Sequence, residues 1–404
     1  MKNKTLGSTL LVAGTTIGAG MLAMPITSAS MGFTFTVSLL LILWLLLSFS
    51  ALLFIEVYQT AYIDAGLASL AEQYFGRWGR ILSTFSLLIF MYAILSAYVT
   101  GGGSLISGLL PLVGDSVTTT QISIILFTVV LGVFIIIGTS SVDAVNRLFF
   151  FSKIAVFLFV LFMMLPRVSV DNLMAMPINN ALVLSAAPVF FTSFGFHVVI
   201  PSIVKYLEGD IKRLKIAVMV GTGIPLIAYL LWQLSTHGVL SQSQFLQILQ
   251  QDPTLNGLVN ATREITGSQL LSEAVRGFSS LALITSFLGV SLSLFDCLKD
   301  LLNRVKVRSN RVSLGVLTFL PPLVFALFYP EGFIMALGYA GIMFAFYGLV
   351  LPVGLAWKAR RLSPNLPYRV WGGNLALLIA LLLGILIIVI PFLIDVGYLP
   401  QVIA

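Results

Sequence analysis

Eleven separate apolar runs, about 17 to 30 residues long, constrain this chain more than any other feature. A helix needs about 20 apolar residues to cross roughly 30 Å of hydrocarbon. The runs cover about 7–29, 34–60, 80–109, 120–138, 147–166, 182–204, 215–236, 270–296, 312–328, 332–357 and 374–396. No soluble domain fits between them. The longest connection, about 237–269, is polar (Ser241-Gln242-Ser243-Gln244, then Gln250-Gln251-Asp252-Pro253) and is expected to be a short, partly helical extramembrane excursion. Only 9% of the residues are charged, against roughly 25% in a soluble domain. So few charges cannot clothe a water-facing surface, whereas lipid accepts an apolar exterior. The expected class is an all-α integral membrane protein of 11 transmembrane helices, forming one transporter domain over residues 1–404.

The net charge of +7 does not point to nucleic acid, because the basic residues sit in short clusters between apolar runs and so act as topology signals. With the N-terminus in the cytoplasm, 18 lysines and arginines fall inside. They include Lys2, Lys4, Arg77, Arg80, Arg147, the Lys205–Lys215 and Lys299–Arg311 clusters, and Lys358 to Arg369. Only 3 fall outside, Arg167, Arg263 and Arg276, and Lys153 stays within a span. An odd span count puts the C-terminus outside, where the tail after Arg369 has no lysine or arginine. Cys297 is the single cysteine, so no intrachain disulfide can form, and with His197 and His237 far apart no metal site or cofactor is expected. The opening Met1-Lys2-Asn3-Lys4 is not read as the start of a cleaved signal peptide, since the apolar run after it continues too long.

The first span reads Val12-Ala13-Gly14-Thr15-Thr16-Ile17-Gly18-Ala19-Gly20-Met21-Leu22-Ala23-Met24-Pro25. Each glycine costs about 1 kcal/mol against alanine in a helix interior. Gly14 and Gly18 could instead serve close helix packing. The other reading is a broken helix whose freed N–H and C=O groups face a polar cavity. The sixth span, Ala187-Pro188-Val189-Phe190-Phe191-Thr192-Ser193-Phe194-Gly195-Phe196-His197 through Pro201, has the same character and carries a histidine. Spans one and six are corresponding members of two five-span halves, about 7–166 and 182–357, with an extra helix at 374–396. Matched interrupted helices are the sequence sign of an inverted-repeat carrier, so we expect a 5+5 inverted-repeat core with helices 1 and 6 interrupted. No sequence identity links the halves.

Such a pair of breaks suits a zwitterion. Half-helix N-termini receive a carboxylate, and unwound carbonyls accept from an ammonium. Thr15, Thr16, Thr192 and Ser193 supply hydroxyls, while Phe194 and Phe196 suit an aromatic ring or pack against neighbours. A charge at mid-membrane costs roughly 2.5–3.5 kcal/mol on insertion scales, which singles out Lys153. It either snorkels to the interface or stands as a fixed cation propping spans one and eight and coupling transport to protons. His197 is a second candidate proton carrier or a neutral hydrogen-bonding group. Thr285 and Ser286 in the eighth span offer oxygen ligands or bond back to their helix. Glu56 and Asp296 are expected at the interface. Tyr92, Ser96 and Tyr98 lie near mid-depth of span three, facing substrate or helix neighbours.

These motifs resemble the hydroxy/aromatic amino acid permease family, and within it the tyrosine carriers. The likeness rests on Lys4-Thr5-Leu6-Gly7-Ser8 with the first break, and on Phe191-Thr192-Ser193-Phe194-Gly195-Phe196-His197. It extends to Thr285-Ser286-Phe287-Leu288-Gly289-Val290, Thr318-Phe319-Leu320-Pro321-Pro322-Leu323, Phe325-Ala326-Leu327-Phe328-Tyr329-Pro330 and Met335-Ala336-Leu337-Gly338-Tyr339-Ala340-Gly341. The resemblance implies a LeuT-like core and proton-driven uptake of L-tyrosine at a bacterial inner membrane, with the bilayer and the substrate as partners. Candidate substrate contacts are then Thr15, Gly18, Ala19, Gly20, Tyr92, Ser96, Thr192, Ser193, Phe194, Gly195, Phe196 and Phe287, and ion-coupling candidates are Lys153, His197, Thr285 and Ser286. A tryptophan or general aromatic amino acid permease is the nearest alternative. A passive channel would need a polar stripe or charge ring, and an enzyme clustered intramembrane acids, bases or metal ligands. Neither pattern is present in the sequence.

Overall fold

The structure, a computed structural model, describes residues 4–110, 115–137, 139–304 and 306–402, and the side chains of all of these except 139–147. Lys2 and the side chain of Arg147 lie outside the described residues. A lipid-embedded backbone has no water to bond, so a chain of this kind must satisfy its N–H and C=O groups within helices. The first span forms α1 (Lys4–Thr16) and α2 (Gly20–Ser28), bent by 48° at the residues between them. Next come α3 (Phe33–Tyr58), α4 (Leu67–Ser107), α5 (Ser116–Ile137), α6 (Thr139–Met164) and the short α7 (Val170–Leu173). The sixth span divides into α8 (Leu182–Ser193) and α9 (Ile200–Tyr206), followed by α10 (Ile211–Val239). The polar connection folds as α11 (Gln242–Gln251) and α12 (Leu255–Thr266). Then follow α13 (Gln269–Arg304), α14 (Arg311–Phe328), α15 (Phe333–Ala345), α16 (Leu351–Leu362) and α17 (Gly373–Asp395). Among the described residues, with the bent pair taken as one, 11 helical segments are long and apolar enough to cross a membrane.

Three features go beyond the sequence expectation. Helix α4 begins at Leu67 rather than near residue 80, because Leu67, Leu70, Ala71 and Tyr74 recur at helical spacing and are all buried. Gly76, at φ 66 and ψ −161, bends this lead-in away from the span proper. The tenth span contains a π-helical stretch, Phe346–Val350, between α15 and α16. The Ser50 hydroxyl donates to the Gly348 carbonyl there.

The third feature concerns Glu56. It is fully buried within the protein at the inner end of its span. Arg360 holds it with two bonds, Nε to Oε1 at 2.6 Å and Nη2 to Oε2 at 2.9 Å, and the Val370 N–H donates to Oε2 at 2.7 Å. The turn before α17 folds back over the ends of α3 and α16 and encloses the pair. Asp296 is exposed.

The two interrupted spans occupy the centre. Helix α1 packs on α10, α2 on α8, α8 on α15, and α6 on α13, while α17 lies against α15 at the periphery. All nine residues of α2 are buried.

Candidate functional site: two helix breaks joined by buried polar groups

Helix α1 ends at Thr16 and α2 starts at Gly20, with Ala19 at the N-cap and no side chain capping it. Instead the Ala19 N–H donates to Ser286 Oγ of α13 at 3.0 Å. Helix α8 ends at Ser193, and the chain turns through Phe194, Gly195 and Phe196 before a short 3-10 turn, His197–Val199, leads into α9. The breaks touch. A Cβ on Gly20 would sit 3.0 Å from the Ser193 Cα and 2.8 Å from its Oγ, so only glycine allows this approach. Glycine content therefore does more than weaken the helix: it lets two backbones meet.

The two half-helix C-termini are linked by a residue that the sequence did not single out. The Tyr229 hydroxyl of α10 lies 2.7 Å from the Thr16 carbonyl and 2.7 Å from the Ser193 carbonyl. One turn further along α10, the Trp232 Nε1–H donates to the Met21 carbonyl at 3.1 Å. Both rings are wholly buried. A lone tyrosine and a lone tryptophan in an apolar span carry no pattern that would have marked them.

Lys153 lies beneath the first break. It is 2% exposed, and its Nζ donates to the Ile17 carbonyl at 2.9 Å and approaches Thr285 Oγ1 at 3.4 Å. The Phe150 ring lies 5.0 Å away. The lysine thus touches both the unwound segment and the eighth span, and does not snorkel. Thr285 also donates back to its own helix, at 2.9 Å to the Leu281 carbonyl. Ser286 faces the Tyr98 side chain, and the two interact through their hydroxyls.

The structure brings together Gly18, Ala19, Gly20, Ser193, Phe194, Gly195, Lys153, Thr285 and Ser286. Phe194 packs edge-on against Tyr229, with ring centroids 5.1 Å apart. Other candidates point elsewhere. Tyr92 donates to the Leu317 carbonyl of α14 at 2.8 Å, and Ser96 bonds back to the Tyr92 carbonyl at 2.9 Å. Thr192 ties α8 to α15 through the Leu337 carbonyl at 3.0 Å. Thr15 is exposed and bonds back to the Leu11 carbonyl at 2.8 Å. Phe287 is stacked on Phe319 and edge-on to Phe127, away from both breaks. In each case the polar or aromatic group is already satisfied by a helix neighbour.

His197 is fully buried, its ring tilted against that of Phe196 with centroids 4.5 Å apart, and edge-on to Phe54 and Phe344. Neither ring nitrogen makes a hydrogen bond of normal geometry, although the Leu47 backbone interacts with the ring. It faces α3 and α15 rather than Lys153.

The far end of the first span is sealed. Ser28 Oγ lies 2.9 Å from His237 Nε2 and 3.2 Å from Gln233 Oε1. Gln242 donates to the Ala29 carbonyl at 3.1 Å, and α12 covers α2.

Comparison with known proteins gives this arrangement its context. Two tyrosine-specific transport systems of Haemophilus influenzae are 64% and 61% identical to this chain, covering 99% and 100% of it and 100% and 99% of their own length. A tryptophan-specific transport protein of Pseudomonas aeruginosa is 31% identical, over 98% of this chain and 96% of its own. Among solved structures, a mutant manganese transporter from Eremococcus coleocola matches with a TM-score of 0.62 at 13% identity, covering 97% of this chain and 87% of that one. At that identity the likeness is one of fold, the LeuT-like five-plus-five core with its first and sixth helices interrupted. The tryptophan/tyrosine permease family model matches residues 1–391. The broken spans, the eleven-span bundle and the near full-length similarity agree, and the chain belongs to the tryptophan/tyrosine permease family.

Proposed function

We propose that this multi-pass membrane protein is a secondary active transporter that imports tyrosine across the bacterial inner membrane by proton symport. The observation that carries the reading is the meeting of two helix breaks beside a buried lysine. Lys153 holds the unwound Ile17 carbonyl at 2.9 Å, and Gly20 meets Ser193 without an intervening side chain. Tyrosine as substrate is supported by the 64% identity to a tyrosine-specific system against 31% to a tryptophan-specific one.

In this reading the first-turn N–H groups of α2 receive the substrate carboxylate, aided by the positive end of the helix dipole. The Thr16 and Ser193 carbonyls accept from its ammonium, and Phe194 and Phe196 line the ring side. Lys153 stands where a bound cation would otherwise prop the first and eighth spans. Loss and gain of its proton ties the tilt of the first span to the proton gradient. The repeats cover about 7–166 and 182–357, and the bundle holding spans one and six rocks against the rest around the fixed site. The 18-to-3 division of basic residues supports a cytoplasmic N-terminus and a periplasmic C-terminus. An inward potential of 100 mV supplies about 2.3 kcal/mol per elementary charge moved.

Labelled tyrosine uptake into proteoliposomes under an imposed pH gradient tests the reading. The expected result is sodium-independent accumulation that a protonophore collapses and excess tryptophan does not compete away. Accumulation that demands sodium removes the proton-coupling role, and strong competition by tryptophan turns the substrate into aromatic amino acids in general.

A further inference from the structure

Where α4, α16 and α17 meet, at the basic end of the bundle, they leave a groove of about 730 Å³. Leu82, Phe346, Leu378 and Leu381 line it, with Trp78 and Trp357 at its mouth. Leu82, Leu378 and both tryptophans are exposed, so the groove opens sideways from the bundle. Its depth is informative. Trp357 and Phe346 lie on one nearly continuous helical run, and their separation at 1.5 Å per residue is about 16 Å. One leaflet of hydrocarbon is about 15 Å, half of the roughly 30 Å core. The groove is therefore about as long as one leaflet is deep.

Two arginines stand by the mouth. The Arg361 guanidinium lies 3.7 Å from the Trp357 ring centroid. Arg77 precedes Trp78 and is exposed. Among the described residues neither arginine forms an ion pair. Glu72, five residues before Arg77, is already engaged by Arg80 at 2.7 Å, and Glu56 is engaged by Arg360, the neighbour of Arg361, at 2.6 Å. Lys358 is held in the wall of the groove, donating to the Tyr74 carbonyl at 2.6 Å with its Nζ 4.5 Å from the Phe75 ring centroid.

We propose that this groove binds an anionic glycerophospholipid, with an acyl chain along the leucine and phenylalanine floor and the headgroup phosphate against Arg361 and Arg77. Two unpaired cations by the mouth of an apolar slot about as long as one leaflet is deep reproduce the polarity order of such a lipid. Tryptophans at the mouth fit the interfacial level. A second copy of this chain pairing symmetrically through the groove would bring the same positive mouth against itself. An inorganic anion would leave the apolar floor unused.

The test is native mass spectrometry of the delipidated full chain in detergent, offered phosphatidylglycerol, phosphatidylcholine or inorganic phosphate. Each arginine near an anionic surface contributes enough that two give about a 30-fold preference for phosphatidylglycerol over phosphatidylcholine. The double variant R77E/R361E is expected to lose that preference, and Leu378→Trp, which fills the slot, to lower retention of both lipids. Thermal unfolding in detergent establishes that each variant is folded, and R77Q/R361Q replaces the charge reversal if it is not. Equal retention of the two lipids by the native chain, survival of the preference in the folded double variant, or phosphate binding as tight as that of phosphatidylglycerol would each overturn the proposal.

Discussion

The hydroxyl of Tyr229 lies 2.7 Å from the carbonyl oxygen of Ser193, and at the same distance from that of Thr16. A hydroxyl has one proton, so it cannot satisfy both acceptors fully at once. Two free helix C-termini thus share a single donor at the point where the broken spans meet.

Tyr229→Phe keeps the ring that packs on Phe194 and removes only that donor. Leaving buried carbonyls short of a partner is expected to cost about 1–2 kcal/mol. A lowered unfolding midpoint in detergent checks this. If the carbonyls also receive the substrate ammonium, KM for uptake changes as well, whereas an unchanged KM confines Tyr229 to holding the fold.

Lys153 makes the second test. Lys153→Met retains the stem but removes the ammonium that contacts the Ile17 carbonyl and Thr285. Concentrative uptake is expected to fall to the level reached with a protonophore, while exchange of internal for external tyrosine continues. Full accumulation by Lys153→Met or Lys153→Ala would remove this residue from coupling.

Gly18 and Gly20 separate a soft contact from a hard one. A methyl on Gly18 meets the Ser286 hydroxyl at 3.0 Å, a side-chain atom that can move. A methyl on Gly20 meets the Ser193 backbone at the same 3.0 Å. Gly20→Ala is therefore expected to destabilise by about 1–3 kcal/mol and to abolish uptake, with no rescue by Ser193→Gly. Gly18→Ala should be milder, and its unfolding midpoint should recover in combination with Ser286→Ala.

The Glu56–Arg360 pair sits wholly inside the protein on its carboxylate side. Glu56→Ala strands the guanidinium, at a cost of about 3–5 kcal/mol. Replacing both partners with methionine is expected to recover much of that loss, since neither charge is then left alone. Thermal unfolding of the three variants decides it: additive losses would mean that the two residues act independently.

Most of the architecture was legible in the sequence because lipid imposes length and apolarity directly, and glycines with a proline mark a helix that cannot continue. Lys153 was legible for the same reason, as a charge is costly where it stands. What escaped were long-range partners. Tyr229 reads as one more apolar residue until the fold sets it between two breaks. Glu56 lies near a span end in sequence, yet a turn more than 300 residues later encloses it. Tyr92 and Phe287 have the right depth but the wrong helix face, which span boundaries alone do not fix. The π-helical stretch at Phe346–Val350 carries no local signature either.

Tyr229 and Trp232 stand one turn apart on α10, gripping the last residue of α1 and the second residue of α2. An unbroken helix is thereby splinted across a broken one. The bend of the first span cannot open or straighten while both bonds hold, because the two anchor points on α10 stay about 4.5 Å apart. Any hinge motion there must either carry α10 along as part of the same rigid body or release one of these two rings first. The order in which they let go would set the sequence of gate movements.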